Sequence, residues 1–82
     1  MMTSPPNEQR AHRVRFETAA RYYTALLDLD LFGEWVLIRA WGGKENRLGQ
    51  LRTDVCSSYE DGLARIEQVR QRRVKRGYKE IA

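Results

Sequence analysis

The stretch RAWGGKENRLGQ, residues 39–50, sets Trp41 beside a glycine pair and among the cations Arg39, Lys44 and Arg47, with Arg52 just beyond it. A tryptophan ring stacks on a base or sugar, for about 1–3 kcal/mol per base. Guanidinium and ammonium groups pair with phosphate. An aromatic flanked by glycines and cations is therefore well placed for contact with a nucleic acid. The competing role for Trp41 is to cap the core, as most strand aromatics do.

A second concentration of cations lies near the C-terminus. Residues 65–79 hold seven basic residues against Glu67, a local charge of +6, whereas the remaining chain has eight basic and ten acidic residues. The whole net charge of +4 thus comes from one segment. A helix C-terminus attracts one or two cations through its dipole, but not seven. On a helical wheel Arg65, Arg72 and Arg76 form a basic stripe beside the apolar arc. Such a surface is the electrostatic footprint expected for a phosphate backbone.

Other reactive residue types are sparse. His12 stands alone near the N-terminus, and Cys56 is the one cysteine, so neither a disulfide nor a four-ligand structural zinc site is expected. Cys56 reads as a buried structural thiol. Asp28, Asp30 and Glu34 form a carboxylate-rich turn without EF-hand spacing, and solvated turn residues are the expectation. No Ser-His-Asp set, Walker loop or glycine-rich nucleotide fingerprint appears. At 82 residues, a cleft large enough for catalysis is hard to build. The chain is expected to be a non-enzyme with no cofactor and no metal. Its longest apolar run, Trp35-Val36-Leu37-Ile38, is far short of a membrane span, and residues 1–10 lack a signal peptide's apolar stretch. A soluble, cytoplasmic protein follows as the expectation; the sequence does not give its oligomeric state, and a monomer is the starting point.

The elements that must position these groups can be read from periodicity. Residues 1–11, with Pro5-Pro6, read as a disordered tail, and 12–82 as a single domain. His12 to Glu17 alternates as a strand, Arg21 to Leu29 reads as a second, and Trp35 to Trp41 as the clearest third. In the third strand Trp35, Leu37, Arg39 and Trp41 share one face and Val36, Ile38 and Ala40 the other. Apolar content on both faces predicts a central strand covered on both sides over at least part of its length. Gln50 to Val55 should return antiparallel. The pairs Ser57/Glu60 and Ser58/Asp61 are overlapping capping boxes, and Tyr59, Leu63, Ile66, Val69 and Val74 share one helical arc. Arg70 and Arg73 fall inside that arc and are expected where the helix overhangs the sheet edge. Gly77 stops the helix, and Tyr78 to Ile81 can add a short strand. The fold class is therefore α+β, an antiparallel sheet of about four to five strands with one α-helix, about 58–76, packed on one face.

The ordered series Tyr22-Tyr23, Leu31-Phe32-Gly33, Trp35, Arg39, Trp41-Gly42, Gly49-Gln50 and Arg76-Gly77-Tyr78 resembles the WGR domain. The resemblance spans about residues 21–79. It implies an antiparallel sheet with one helix. In poly(ADP-ribose) polymerases the domain helps recognise DNA breaks, its motif tryptophan and arginine packing against the exposed end of the nucleic acid. The family also occurs in bacterial proteins, some named as molybdate metabolism regulators, and as small stand-alone proteins. Here Gly43 stands where the motif has its arginine, and Lys44 follows directly. Arg39, Arg47 and Arg52 are nearby alternatives.

Two functions are compatible with these residues. One is a small DNA- or RNA-binding module, regulatory or associated with DNA repair, that uses Trp41, Arg39, Lys44, Arg47, Arg52, Arg65, Arg72 and Arg76. The other is a protein-interaction module that docks an acidic partner through its sheet or helix without binding DNA.

Overall fold

The computed structural model describes residues 9–45 and 48–81. The elements run β1 (His12–Glu17), β2 (Arg21–Leu29), β3 (Trp35–Gly43), β4 (Gly49–Val55), α1 (Tyr59–Lys75) and β5 (Lys79–Glu80). All pairings are antiparallel, and the sheet order is β4-β3-β2-β1-β5. Most of the expected tail, together with Arg47, lies outside the described residues.

The period-2 pattern decides which face is buried. Val14 and Phe16 of β1, Tyr23, Ala25 and Leu27 of β2, and Leu37 of β3 point to one face and meet Ile66 and Val69 of α1. Phe16, Leu27 and Ile66 are fully enclosed there. Burying a side chain of this size contributes about 1.5–3 kcal/mol. The helix starts as expected from one of its two capping boxes. The Ser58 hydroxyl accepts a hydrogen bond from the Asp61 amide at 3.0 Å, and the Asp61 carboxylate accepts one from the Ser57 amide at 3.0 Å. Gly77 at φ +89° ends it, and Gly33 at φ +80° closes the β2–β3 turn. Both lie in the left-handed region that favours glycine.

Three expectations need correction. The outer face of β3 carries no second layer among the described residues. Val36 is buried and Ile38 half-buried because cross-strand neighbours shield them, Val55 beside Val36 and Leu26 beside Ile38. An apolar run on a strand therefore reported lateral shielding within the sheet, not cover on both sides. Val74 also leaves the core and is 57% exposed. Its place in the inward arc is taken by Arg73, whose guanidinium carbon lies 4.5 Å from the Tyr23 ring centre and 5.2 Å from that of Tyr78. Arg70 does not overhang into solvent either, since it pairs with Glu67 and with Glu80 of β5.

Candidate nucleic-acid interface

The β2–β3 ladder sets Tyr23 opposite Trp41 and Ala25 opposite Arg39. Because Leu37, Arg39 and Trp41 share a face, the core continues along β3 only as far as Leu37 and then gives way to a cation and an indole. On α1 the same change occurs one turn beyond Val69, where Arg72, Arg73 and Arg76 follow. The helix and the sheet therefore part around polar groups. Between them lies a cleft of about 640 Å³, lined by Thr18, Ala20, Arg21, Tyr23, Arg39, Trp41, Val69, Arg72, Arg73, Arg76 and Tyr78. Five arginines line it and no carboxylate does, among the described residues.

Its floor is aromatic. Tyr23 and Trp41 stack with ring centres 5.5 Å apart and planes 11° apart. Arg73 lies over the Tyr23 and Tyr78 rings, an attraction of about 0.5–2 kcal/mol. Arg39 is fixed by Asp54, its terminal nitrogen 2.9 Å from the carboxylate. Burial works against the charge on Arg39, but Tyr23 and Asp54 outweigh it and hold its pKa above the ordinary value. The Nε atoms of Arg39 and Arg73 are buried and have no hydrogen-bond partner among the described residues. A buried donor left in this way costs about 1–3 kcal/mol, which an oxyanion in the cleft would recover.

The sequence-derived candidates divide into groups. Arg39, Trp41, Arg72 and Arg76 come together in the cleft. Arg65 lies in an adjoining cavity of about 360 Å³ that shares Arg39, Val69 and Arg72 but also holds Asp54 and Asp61. It is 3.2 Å from the Asp61 carboxylate, so its charge is largely spoken for. Arg52 is 65% exposed on β4 and sits 3.4 Å from Asp54, outside both cavities. Lys44 turns away from the cleft. Its Nζ is 2.6 Å from Glu17, whose other oxygen takes Arg15 at 2.7 Å. Lys44 and then Arg15 hold the Glu17 carboxyl below its ordinary value. The cation that follows the motif position thus serves to fasten the β3–β4 loop to β1.

Arg21, Tyr23, Arg73 and Tyr78 were not among the candidates. The signal for Arg73 was its position inside the apolar arc, where an arginine must either find solvent or lie on aromatic rings. Arg21 opens β2 directly opposite Gly43, a pairing that only the register reveals.

Other residue clusters have structural uses. Asp30 accepts hydrogen bonds from the Phe32 and Glu34 amides at 2.8 and 2.9 Å, which shapes the β2–β3 turn. Leu31 and Phe32 at its tip are 97% and 88% exposed. Asp28, Asp30 and Glu34 gather at this end of the hairpin, and Arg21 and Trp41 lie toward the other. Cys56 is buried, and burial pushes its thiol pKa up. Among the described residues no group of His, Cys, Asp or Glu is placed to hold a metal ion, and no helix is long and apolar enough to cross a membrane.

No curated protein and no solved structure matches the chain. The family model of the WGR domain matches residues 9–82, which takes in every element of the sheet and the helix, and the chain belongs to the WGR domain family.

Proposed function

We propose that this WGR domain is a non-catalytic, cytoplasmic nucleic-acid-binding module directed at DNA, with a role in regulation or DNA repair. One observation carries the reading: five arginines and a half-exposed tryptophan line one cleft that, among the described residues, no carboxylate lines. Arg21, Arg72 and Arg76 receive backbone phosphates at its rim. Arg39 and Arg73 offer their Nε donors deeper inside, and Trp41 stacks on a terminal base or sugar. Arg39 stands two residues before Trp41 on the same face of β3, and so supplies a guanidinium where Gly43 replaces the motif arginine.

Fluorescence anisotropy with blunt and nicked duplexes at two salt concentrations tests this reading. Binding should be saturable at low salt and fall steeply as salt rises, because each neutralised phosphate releases counterions. Trp41→Ala and the double change Arg72→Gln/Arg76→Gln should each weaken it. Absence of binding at low salt, or affinity indifferent to both variants, overturns the proposal. Saturable binding to an acidic protein without DNA affinity selects the protein-interaction module instead.

A further inference from the structure

The two edges of the sheet are unlike. On one side β5 contributes only Lys79–Glu80, too short to template another strand. On the other, β4 runs seven residues without proline. Its register with β3, from Val36 opposite Val55 to Gly42 opposite Gly49, is unbroken by a bulge. Soluble proteins ordinarily blunt an edge of this length by shortening, proline or a bulge, or with charge. Here the charges are one Arg52 and one Asp54, of opposite sign.

The direction of the β4 backbone follows from one bond. The Cys56 amide donates to the Trp35 carbonyl at 2.8 Å. Antiparallel pairs alternate between bonded and non-bonded, so Asp54, Arg52 and Gln50 turn their backbone groups toward β3. Leu51, Thr53 and Val55 turn theirs outward, and no strand pairs with them among the described residues.

We propose that β4 pairs antiparallel with β4 of a second copy of this chain, across a two-fold axis through Thr53, to make one sheet from both. The sequence Leu51-Arg52-Thr53-Asp54-Val55 is self-complementary about its centre. Arg52 then faces Asp54 of the second copy, and Leu51 faces Val55 of the second copy. Leu51 and Val55 are 69% and 57% exposed in the single chain. Neighbouring axes fail on charge. An axis at Arg52 sets that arginine against itself, and one at Asp54 does the same to the carboxylate, and like charges directly opposite destabilise. The helix packs over β2, β3 and β5, which leaves the β4 edge open to a second sheet. Both arginine clefts then open on the same face of the joint sheet. The pairing rests on β4 alone, independent of what the clefts bind, and differs from the monomer that was the starting point.

Sedimentation equilibrium from micromolar to millimolar chain, at low salt, tests it. The wild-type mass should rise from one chain to two. Thr53→Pro deletes an outward amide while sparing the β3 ladder, and should hold the mass at one chain, with circular dichroism checking its fold. Arg52→Asp should weaken association about tenfold by facing Asp54 with a like charge. A cysteine pair reads the register without relying on either variant. Under mild oxidation Thr53→Cys should cross-link, since directly opposed residues of a bonded pair have Cα atoms about 5.5 Å apart. Leu51→Cys should not, because its two copies lie four residues out of register, roughly 13 Å apart. A wild-type chain that stays at one chain mass throughout, a Thr53→Pro variant that still doubles, or equal cross-linking at both positions overturns the proposal.

Discussion

Tyr23 and Trp41 stand directly opposite one another on β2 and β3, and their stacked rings join the hydrophobic core to the arginine cleft. Tyr23 is buried, whereas Trp41 keeps part of its surface in the cleft. The buried ring holds the indole in place, so little entropy would be lost on stacking of a base against it. Trp41→Ala should weaken duplex binding from about fivefold to about 150-fold, the range for losing ~1–3 kcal/mol of stacking. Trp41→Phe should retain most of the affinity. Anisotropy titrations, with thermal melts to check that both variants fold, measure this.

Arg73 and Lys44 should respond in opposite ways. Arg73 lies in the cleft over two aromatic rings, while Lys44 is committed to Glu17. Arg73→Gln should lower affinity and flatten the logarithmic salt dependence by about 0.9 for each phosphate that is no longer neutralised. Lys44→Gln should leave both nearly unchanged. An equal effect of the two changes would place the nucleic acid on the wrong face of the sheet.

Gly62 is buried in the first turns of α1 because the sheet leaves no room for a side chain. A methyl group there would overlap Leu27 Cδ1 and lie 2.7 Å from Cδ2, and Leu27 is itself fully enclosed. Gly62→Ala should gain up to about 1 kcal/mol in helix propensity yet lose more to overpacking, which costs about 1–3 kcal/mol. Urea denaturation should therefore give a lower midpoint. A midpoint raised by the change would mean that α1 can lift from β2 at little cost.

Four carboxylates make stability depend on acid, Asp54 among them, where burial is outweighed by Arg39 and Arg52. Glu17 is held below its ordinary 4.5 by Lys44 and Arg15, Asp61 below 3.8 by the Ser57 amide and Arg65, and Glu80 below 4.5 by Arg70. A lowered pKa means that the unfolded chain binds the proton more readily. The stabilisation is thus complete above the unfolded value and is lost as pH falls through the folded one. The melting temperature should be level above about pH 5 and decline progressively below about pH 4.5. Glu17→Gln should shrink that decline, as melts at stepped pH will record.

Much of the architecture was legible because it rests on local periodicity. Alternation in Val14 and Phe16, and again in Leu37, Arg39 and Trp41, assigned strands and their faces, while Ser58, Asp61 and Gly77 marked the helix ends. What escaped depended on register and on pairing between distant residues. Nothing near Lys44 in sequence indicates that Glu17, 27 residues earlier, will take its charge. Nothing near Arg73 shows that Tyr23 will lie beneath it. The cleft was therefore half visible, with Trp41, Arg39, Arg72 and Arg76 read from pattern and Arg21, Tyr23 and Tyr78 supplied by the fold.

The separation of charge along the β2–β3 hairpin has a kinetic consequence. With Asp28, Asp30 and Glu34 at the turn and Arg21 and the neighbouring cleft arginines toward the opposite end, the hairpin carries a charge separation along its strands. In the field of a polyanion such a dipole feels a torque before any contact forms, and it turns the arginine end forward. If the cleft binds a polyanion as proposed, productive encounters would need less rotational search, and added salt would slow association as well as weaken the complex. The same torque would point the exposed Leu31 and Phe32 away from the polyanion, so the domain would arrive with its apolar tip still facing solvent.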